Sequence, residues 1–63
     1  MTKRKDLMNQ IRTYAAQHGL EVRVVEGRNH TRVWVGDQYT TIPRHREIPD
    51  GFARKILKQI GVK

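Results

Sequence analysis

The 63-residue sequence has no cysteine, two prolines and few aromatic residues, namely one tryptophan, two tyrosines and one phenylalanine. Without cysteine, neither a disulfide framework nor a thiolate metal site can brace the chain, and a reducing, intracellular setting is expected. No stretch approaches the roughly 18 consecutive apolar residues that a membrane-spanning helix requires. The opening segment, Met1-Thr2-Lys3-Arg4-Lys5-Asp6, is charged and leads into no apolar run of the signal-peptide kind. A cytoplasmic protein without membrane association is therefore expected. Acidic residues are also scarce, six against thirteen Lys plus Arg, which leaves a net charge of +7. Such an excess favours polyanionic partners, nucleic acid first. A solubilising surface or an acidic protein partner would account for the same charge.

A chain this short makes one domain, residues 1–63. It buries only about 60% of the surface its unfolded form exposes, so the core must be small. No internal repeat, linker or low-complexity stretch interrupts it. Thr2 is placed to cap a first helix, in which Leu7, Ile11, Tyr14, Ala15 and His18 recur at three- and four-residue steps, with Met8 beside the stripe. Gly19 follows as a C′ stop, since glycine enters the left-handed region without steric cost. The period then changes to two. Leu20, Val22 and Val24 alternate with Glu21, Arg23 and Val25 in a half-buried strand. Glu26-Gly27-Arg28-Asn29 supplies turn chemistry. A second strand sets Thr31, Val33 and Val35 on one face and His30, Arg32 and Trp34 on the other. After a turn at Gly36-Asp37-Gln38, a third strand, Tyr39-Thr40-Thr41-Ile42, ends at Pro43.

Residues Arg44 to Glu47 read as a polar loop. The last helix opens near Pro49 and runs to Ile60, with Phe52, Ala53, Ile56, Leu57 and Ile60 on one apolar arc and Arg54, Lys55 and Lys58 opposite. The predicted fold is α+β: a two-layer α-β-β-β-α sandwich with a three-stranded antiparallel sheet and both helices on one face. Its expected core is Leu7, Ile11, Ala15, Val22, Val24, Val33, Val35, Phe52, Ile56, Leu57 and Ile60. This order of elements is also that of a double-stranded-RNA-binding domain, although fold order alone does not settle function.

Three histidines are the side chains suited to proton transfer near neutrality. His18 falls on the apolar arc of the first helix and reads as a boundary packing residue. His30 stands where the hairpin turn meets the second strand, exposed, between Arg28 and Arg32. His45 lies between Arg44 and Arg46 and is a candidate for phosphate or substrate contact. No metal is expected, because no H-x-x-H, H-E-x-x-H or paired-cysteine spacing occurs. A nucleophilic triad is not supported either, since Thr31, Thr40 and Thr41 are explained as strand formers. RNA cleavage needs less machinery, because RNA carries its own 2′-hydroxyl nucleophile. One histidine as acid or base, with nearby cations to stabilise phosphoryl charge, suffices without a cofactor. The arginines could equally do no more than bind phosphate. Trp34 and Tyr39 could stack on unpaired bases, but a cross-strand pair covering the open sheet face is the simpler reading. A DNA-reading helix is poorly supported. The basic face of the last helix carries Arg and Lys but no Asn, with Gln59 set toward the apolar arc.

The stretches Glu26-Gly27-Arg28-Asn29-His30, Val33-Trp34-Val35-Gly36, Ile42-Pro43-Arg44-His45, Ile48-Pro49-Asp50-Gly51 and Ile56-Leu57-Lys58-Gln59-Ile60-Gly61 together resemble the HicA toxin family, over nearly the whole chain. The resemblance implies an mRNA interferase, an endoribonuclease with a double-stranded-RNA-binding-like fold, neutralised by a HicB-like antitoxin. It places His30 at the family's catalytic position and matches His45 to the histidine after the strand-ending proline. Arg28, Arg32, Arg44, His45, Arg46, Lys55 and Lys58 are then the expected RNA-binding residues. The sequence departs from the family pattern in three places. Arg28 stands where a glycine is common, Asn29 replaces the commoner serine, and Thr31 replaces a second histidine. A noncatalytic relative that binds RNA or an antitoxin is accordingly the alternative, and a homo-oligomer is left open. Lys3, Arg4 and Lys5 crowd the positive end of the first helix dipole, where cations are disfavoured. That cluster is expected to contact RNA phosphate or an acidic antitoxin.

Overall fold

The computed structural model describes residues Met1–Val62. Its elements are β1 (Thr2–Lys3), α1 (Arg4–Gln17), β2 (Val22–Glu26), β3 (His30–Val35), β4 (Gln38–Pro43), β5 (Glu47–Ile48) and α2 (Asp50–Gln59). The alternation along the middle of the chain becomes an antiparallel sheet in the order β2-β3-β4. Directly opposed residues share a face, and Val33 stands opposite both Val24 and Thr40. Thr31, Val33 and Val35 therefore point inward with Thr40 and Ile42, and all five are buried. His30, Arg32, Trp34, Tyr39 and Thr41 belong to the opposite face. From α1 come Leu7, Met8, Ile11 and Ala15, from α2 come Ala53 and Ile56, and these join Ile60, Ile48, Val33, Val35 and Ile42 in one core. Both helices thus lie on the inward face, in the α+β arrangement that the periodicities predict.

Two short elements were not anticipated. β1 pairs antiparallel with β5, Thr2 opposite Ile48 and Lys3 opposite Glu47, so the expected polar loop includes an edge ladder. This ladder accompanies Ile48, which is fully buried and absent from the expected core. It also removes Thr2 from the helix cap. The N-cap of α1 is Lys3, which makes no side-chain capping bond. One orphan amide of the first turn is satisfied instead by tertiary contact, as Arg4 N–H donates to the Arg46 carbonyl at 2.8 Å. The Thr2 hydroxyl donates to Asp50 at the start of α2, 2.8 Å away. This bond, followed by the chain's amino terminus, holds the Asp50 carboxyl below its ordinary pKa. The associated stabilisation is present above the unfolded carboxylate pKa and is lost as pH falls through the folded one.

The core also departs from expectation at its margins. Val24 is 41% exposed and Phe52 is 43% exposed. Val24 has the inward orientation but sits on the edge strand β2, where only Val22 packs against the core. On α2, Ala53 takes the inward place and Phe52 is left at the rim of the arc. Leu57 is half-buried, and Met8 and Ile42 are buried although neither belongs to the expected core. His18 is exposed, its ring 4.3 Å from that of Tyr14.

Both helices end in the same way. Leu20 N–H reaches the Ala15 carbonyl and Gly19 N–H that of Ala16, while Val62 reaches Leu57 and Gly61 reaches Lys58. These are paired Schellman bonds, with Gly19 at φ +64° and Gly61 at φ +108°. At Gly61 space is also short, since a Cβ would lie 2.6 Å from the Tyr14 hydroxyl oxygen. The end of α2 is thereby seated against α1.

The turn end of the hairpin is held by a polar cluster. Arg4 Nη2 donates to Thr31 Oγ1 at 2.6 Å, and Thr31 Oγ1 donates to Glu26 Oε1 at 2.7 Å. Arg4 Nε also reaches the Pro43 carbonyl at 3.3 Å. On the other side of Glu26, Arg44 pairs with Oε2 at 3.5 Å and donates to the Gly27 carbonyl at 3.0 Å. Four segments meet here: the start of α1, both strands of the hairpin and the loop after β4.

Two substitutions test these contacts in urea denaturation. Thr31→Val keeps the shape but removes the shared hydroxyl, and it should cost about 1–3 kcal/mol, because Arg4 and Glu26 lose a partner in a half-buried place. Gly61→Ala should cost more than about 1 kcal/mol, and adding Tyr14→Phe should recover part of that loss but not the part due to positive φ. Wild-type stability in either single variant would contradict the corresponding account.

Candidate active site

His30 opens β3, opposite Pro43, on the sheet face that the helices leave uncovered. Its side chain is exposed, while its backbone is fixed from several directions. Gly27 N–H donates to the His30 carbonyl at 2.8 Å and closes the hairpin. The Gly27 carbonyl is held by Arg44, the Pro43 carbonyl by Arg4, and the next residue, Thr31, by Arg4 and Glu26. Glycine at position 27 is a matter of space, because a Cβ there would come within 2.9 Å of the His30 carbonyl oxygen. The result is an accessible imidazole on a stretch of backbone tied by hydrogen bonds on several sides.

Two hollows adjoin the ring. A smaller one, about 330 Å³, is lined by His30 with Gly27, Arg28, Asn29 and Arg32. A larger cleft of about 580 Å³ runs from His30 along β4 to α2, between Tyr39, Thr41, Pro43, Phe52 and Gln59. Trp34 and Tyr39 form the anticipated cross-strand pair, with ring centroids 4.7 Å apart. The Arg32 guanidinium lies 5.4 Å from the Tyr39 ring centre, within cation–π range. Gln59 is not part of the core, as the Thr40 hydroxyl donates to its Oε1 at 2.6 Å.

The structure divides the residues expected to bind RNA. Arg28 and Arg32 share a hollow with His30. Arg44 is turned beneath the hairpin onto Glu26 and Gly27. Arg46 lies in another hollow with Lys3, Lys5 and Glu47. His45 is exposed and lines neither hollow beside His30. Lys55 and Lys58 are exposed on α2, and Lys55 falls within one turn of both Phe52 and Gln59. Of the N-terminal cations, Lys3 and Lys5 are exposed, whereas Arg4 is half-buried and committed to Thr31 and Pro43.

Sequence reasoning did not find Phe52, Thr41 and Gln59 beside His30, nor the roles of Arg4 and Glu26. One signal was available. Thr31 occupies an inward position between strand residues that alternate correctly, and a buried hydroxyl demands partners.

Chemically, the smaller hollow brings an exposed imidazole together with two arginines, residue types that can exchange a proton and neutralise an anion. Among the described residues, no group of three or more His, Asp or Glu side chains is placed to hold a metal ion, and no helix is long and apolar enough to cross a membrane.

Comparison with known proteins agrees with the resemblance read from the motifs. Residues 9–62 match the family described as "HicA toxin of bacterial toxin-antitoxin". A relative in Photorhabdus laumondii subsp. laumondii, named "Probable mRNA interferase HicA 2", is 37% identical over 57 residues, covering 87% of this chain and 95% of the relative. No solved structure gives a significant match. The matched region carries the hairpin with His30, both walls of its cleft and the closing helix, and the chain belongs to the HicA toxin family.

Proposed function

We propose that the protein is the toxin of a HicA/HicB-type pair and an endoribonuclease that cleaves mRNA by acid–base catalysis at His30, without a metal or other cofactor. The observation that carries this reading is the exposed imidazole on a clamped strand end, sharing a hollow with Arg28 and Arg32. The name of the Photorhabdus relative supports RNA as the substrate. Messenger RNA as substrate implies action in the cytoplasm.

In this reading His30 removes the proton of a ribose 2′-hydroxyl, whose oxygen attacks the adjacent phosphorus. The bond from phosphorus to the 5′-oxygen breaks, leaving a 2′,3′-cyclic phosphate. The imidazolium returns its proton to the departing 5′-oxygen, so His30 ends as it began. Arg28 and Arg32 stabilise charge on the phosphoryl oxygens as it develops. His45, Arg46, Lys55 and Lys58 extend the phosphate-binding surface. A phosphate contact by Arg44 requires it to leave Glu26, so its first task is to hold the turn that carries His30. The antitoxin, a HicB-like protein, neutralises the toxin, and acidic groups on it would complement the charge of +7.

The test is cleavage of RNA by purified protein in EDTA. His30→Ala should lower the rate by about 10²–10⁴-fold, the usual worth of one acid–base group. Gly27→Ala, which displaces the His30 carbonyl, should lower it by up to about 10²-fold through misplacement of the ring. Equal cleavage by wild type and His30→Ala would end the mechanism. Absence of cleavage by wild type would favour the reading in which the protein binds RNA or antitoxin only.

A further inference from the structure

Proton transfer at His30 makes no use of the aromatic residues that line the larger cleft. Two aromatic rings from different elements line this cleft and are left in water: Tyr39 of β4 is 50% exposed and Phe52 of α2 is 43% exposed. Phe52 belongs to an arc in which Ala53, Ile56 and Ile60 are buried and Leu57 is half-buried, so its exposure gives up the stabilisation that burial would bring. Tyr39 is oriented by the Trp34 ring and by Arg32. The remaining wall is polar. Thr41 presents a hydroxyl, and Gln59, whose Oε1 accepts from Thr40, keeps its amide N–H groups as donors. A volume of about 580 Å³ lies within the range of sites that take one small ligand or group.

We propose that this cleft holds one unpaired base of a single-stranded RNA, stacked on Tyr39 and Phe52, with its sugar-phosphate chain carried past His30. The reading of His30 as the cleaving residue gives the bound base its purpose, but the site stands on its own residues. Aromatic faces accept any base that is free to stack, which a paired base is not. The Gln59 amide and the Thr41 hydroxyl meet the edge of the base with hydrogen bonds, favouring one that offers a carbonyl oxygen to the amide. Arg28 in the hollow beside His30, Arg32 over Tyr39 and Lys55 on α2 supply cations for the flanking phosphates. Single-stranded RNA thus satisfies the aromatic, polar and charged parts of the cleft together. An apolar protein segment would leave the amide and the cations unused.

The probe is a short single-stranded RNA with 2′-O-methyl riboses, which cannot be cleaved, and binding is read by fluorescence anisotropy in EDTA at fixed salt. Wild type should bind this strand at least about ten-fold more tightly than a duplex of the same sequence. Phe52→Leu and Tyr39→Leu, which keep apolar bulk, should each weaken single-strand binding about ten-fold, the scale of one lost base–aromatic stack. Phe52→Trp should retain it. Circular dichroism of each variant confirms that the fold persists, as expected for exposed positions. Unchanged affinity in both leucine variants, or tighter binding of the duplex, would overturn the proposal. Leucine variants that lose binding to a HicB-like antitoxin but not to RNA would overturn it too, assigning the cleft to protein. Because the probe cannot be cut, a failure of the His30 mechanism leaves this measurement readable, and the two ideas fall separately.

Discussion

A hydroxyl occupies the inward position of β3 nearest the hairpin tip, and Thr31 cannot be buried there without hydrogen-bond partners. Its partners are charged and come from far apart in the chain: Arg4 from the first turn of α1 and Glu26 from the end of β2. Once Arg4 is drawn in, the rest of that corner follows. Its backbone amide meets the Arg46 carbonyl, its side chain meets the Pro43 carbonyl, and β1 lies along β5. Arg44 closes the circuit through Glu26 and the Gly27 carbonyl. None of these ions is fully buried, so the desolvation penalty that makes buried ion pairs weak is moderated, while the hydrogen bonds remain directional. Arg4 also leaves a helix N-terminus where a free cation is electrostatically unfavourable and finds an anion nearby.

That circuit has a functional side. His30 lies between Gly27, whose amide and carbonyl are both engaged, and Thr31, whose side chain is the hub. A residue at the mouth of a hairpin would ordinarily share the mobility of the turn. Here the polar circuit lies on the helix side of the sheet and the imidazole projects from the other. The same strand therefore has one face spent on rigidity and the other left to solvent. The acid–base role proposed for His30 would gain from this division, since misplacement of about 1 Å is enough to cost orders of magnitude in rate.

How much of this was legible in the sequence follows from the range of the interactions. The helices, the three main strands and the inward set Leu7, Ile11, Val33, Val35 and Ile56 follow from local periodicity, and each lies where that periodicity puts it. Gly19 and Gly61 end helices for reasons carried by the residues themselves. What local pattern could not supply was coverage. Val24 has the correct orientation but no helix above it, and Phe52 shares an arc with core residues while Ala53 fills the space. The pairing of Thr2 with Ile48 spans most of the chain, so capping, a local rule, gave the wrong partner for Thr2. At the site, Arg28 and Arg32 stand near His30 because they are its neighbours in sequence. Tyr39, Phe52 and Gln59 stand near it because β4 and α2 were brought there by the core.

The position of α2 therefore links stability to the cleft. Its inner face is set by Ala53, Ile56 and Ile60, its far end by the close approach of Gly61 to Tyr14, and its relation to β4 by the bond from Thr40 to Gln59. Phe52 and Gln59 are two turns apart on that helix, so fixing the axis fixes both walls of the cleft that α2 contributes. Thr40, which makes the tie, is itself an inward polar residue on β4, as Thr31 is on β3, and the two flank the same buried stretch of sheet. Replacing either with an apolar residue of similar shape would keep the core apolar but would sever the tie to Arg4 and Glu26 at the hairpin turn, or to Gln59 beside the cleft. In a domain with so little interior, polar atoms among the inward positions are how the packed side sets the geometry of the side left to work.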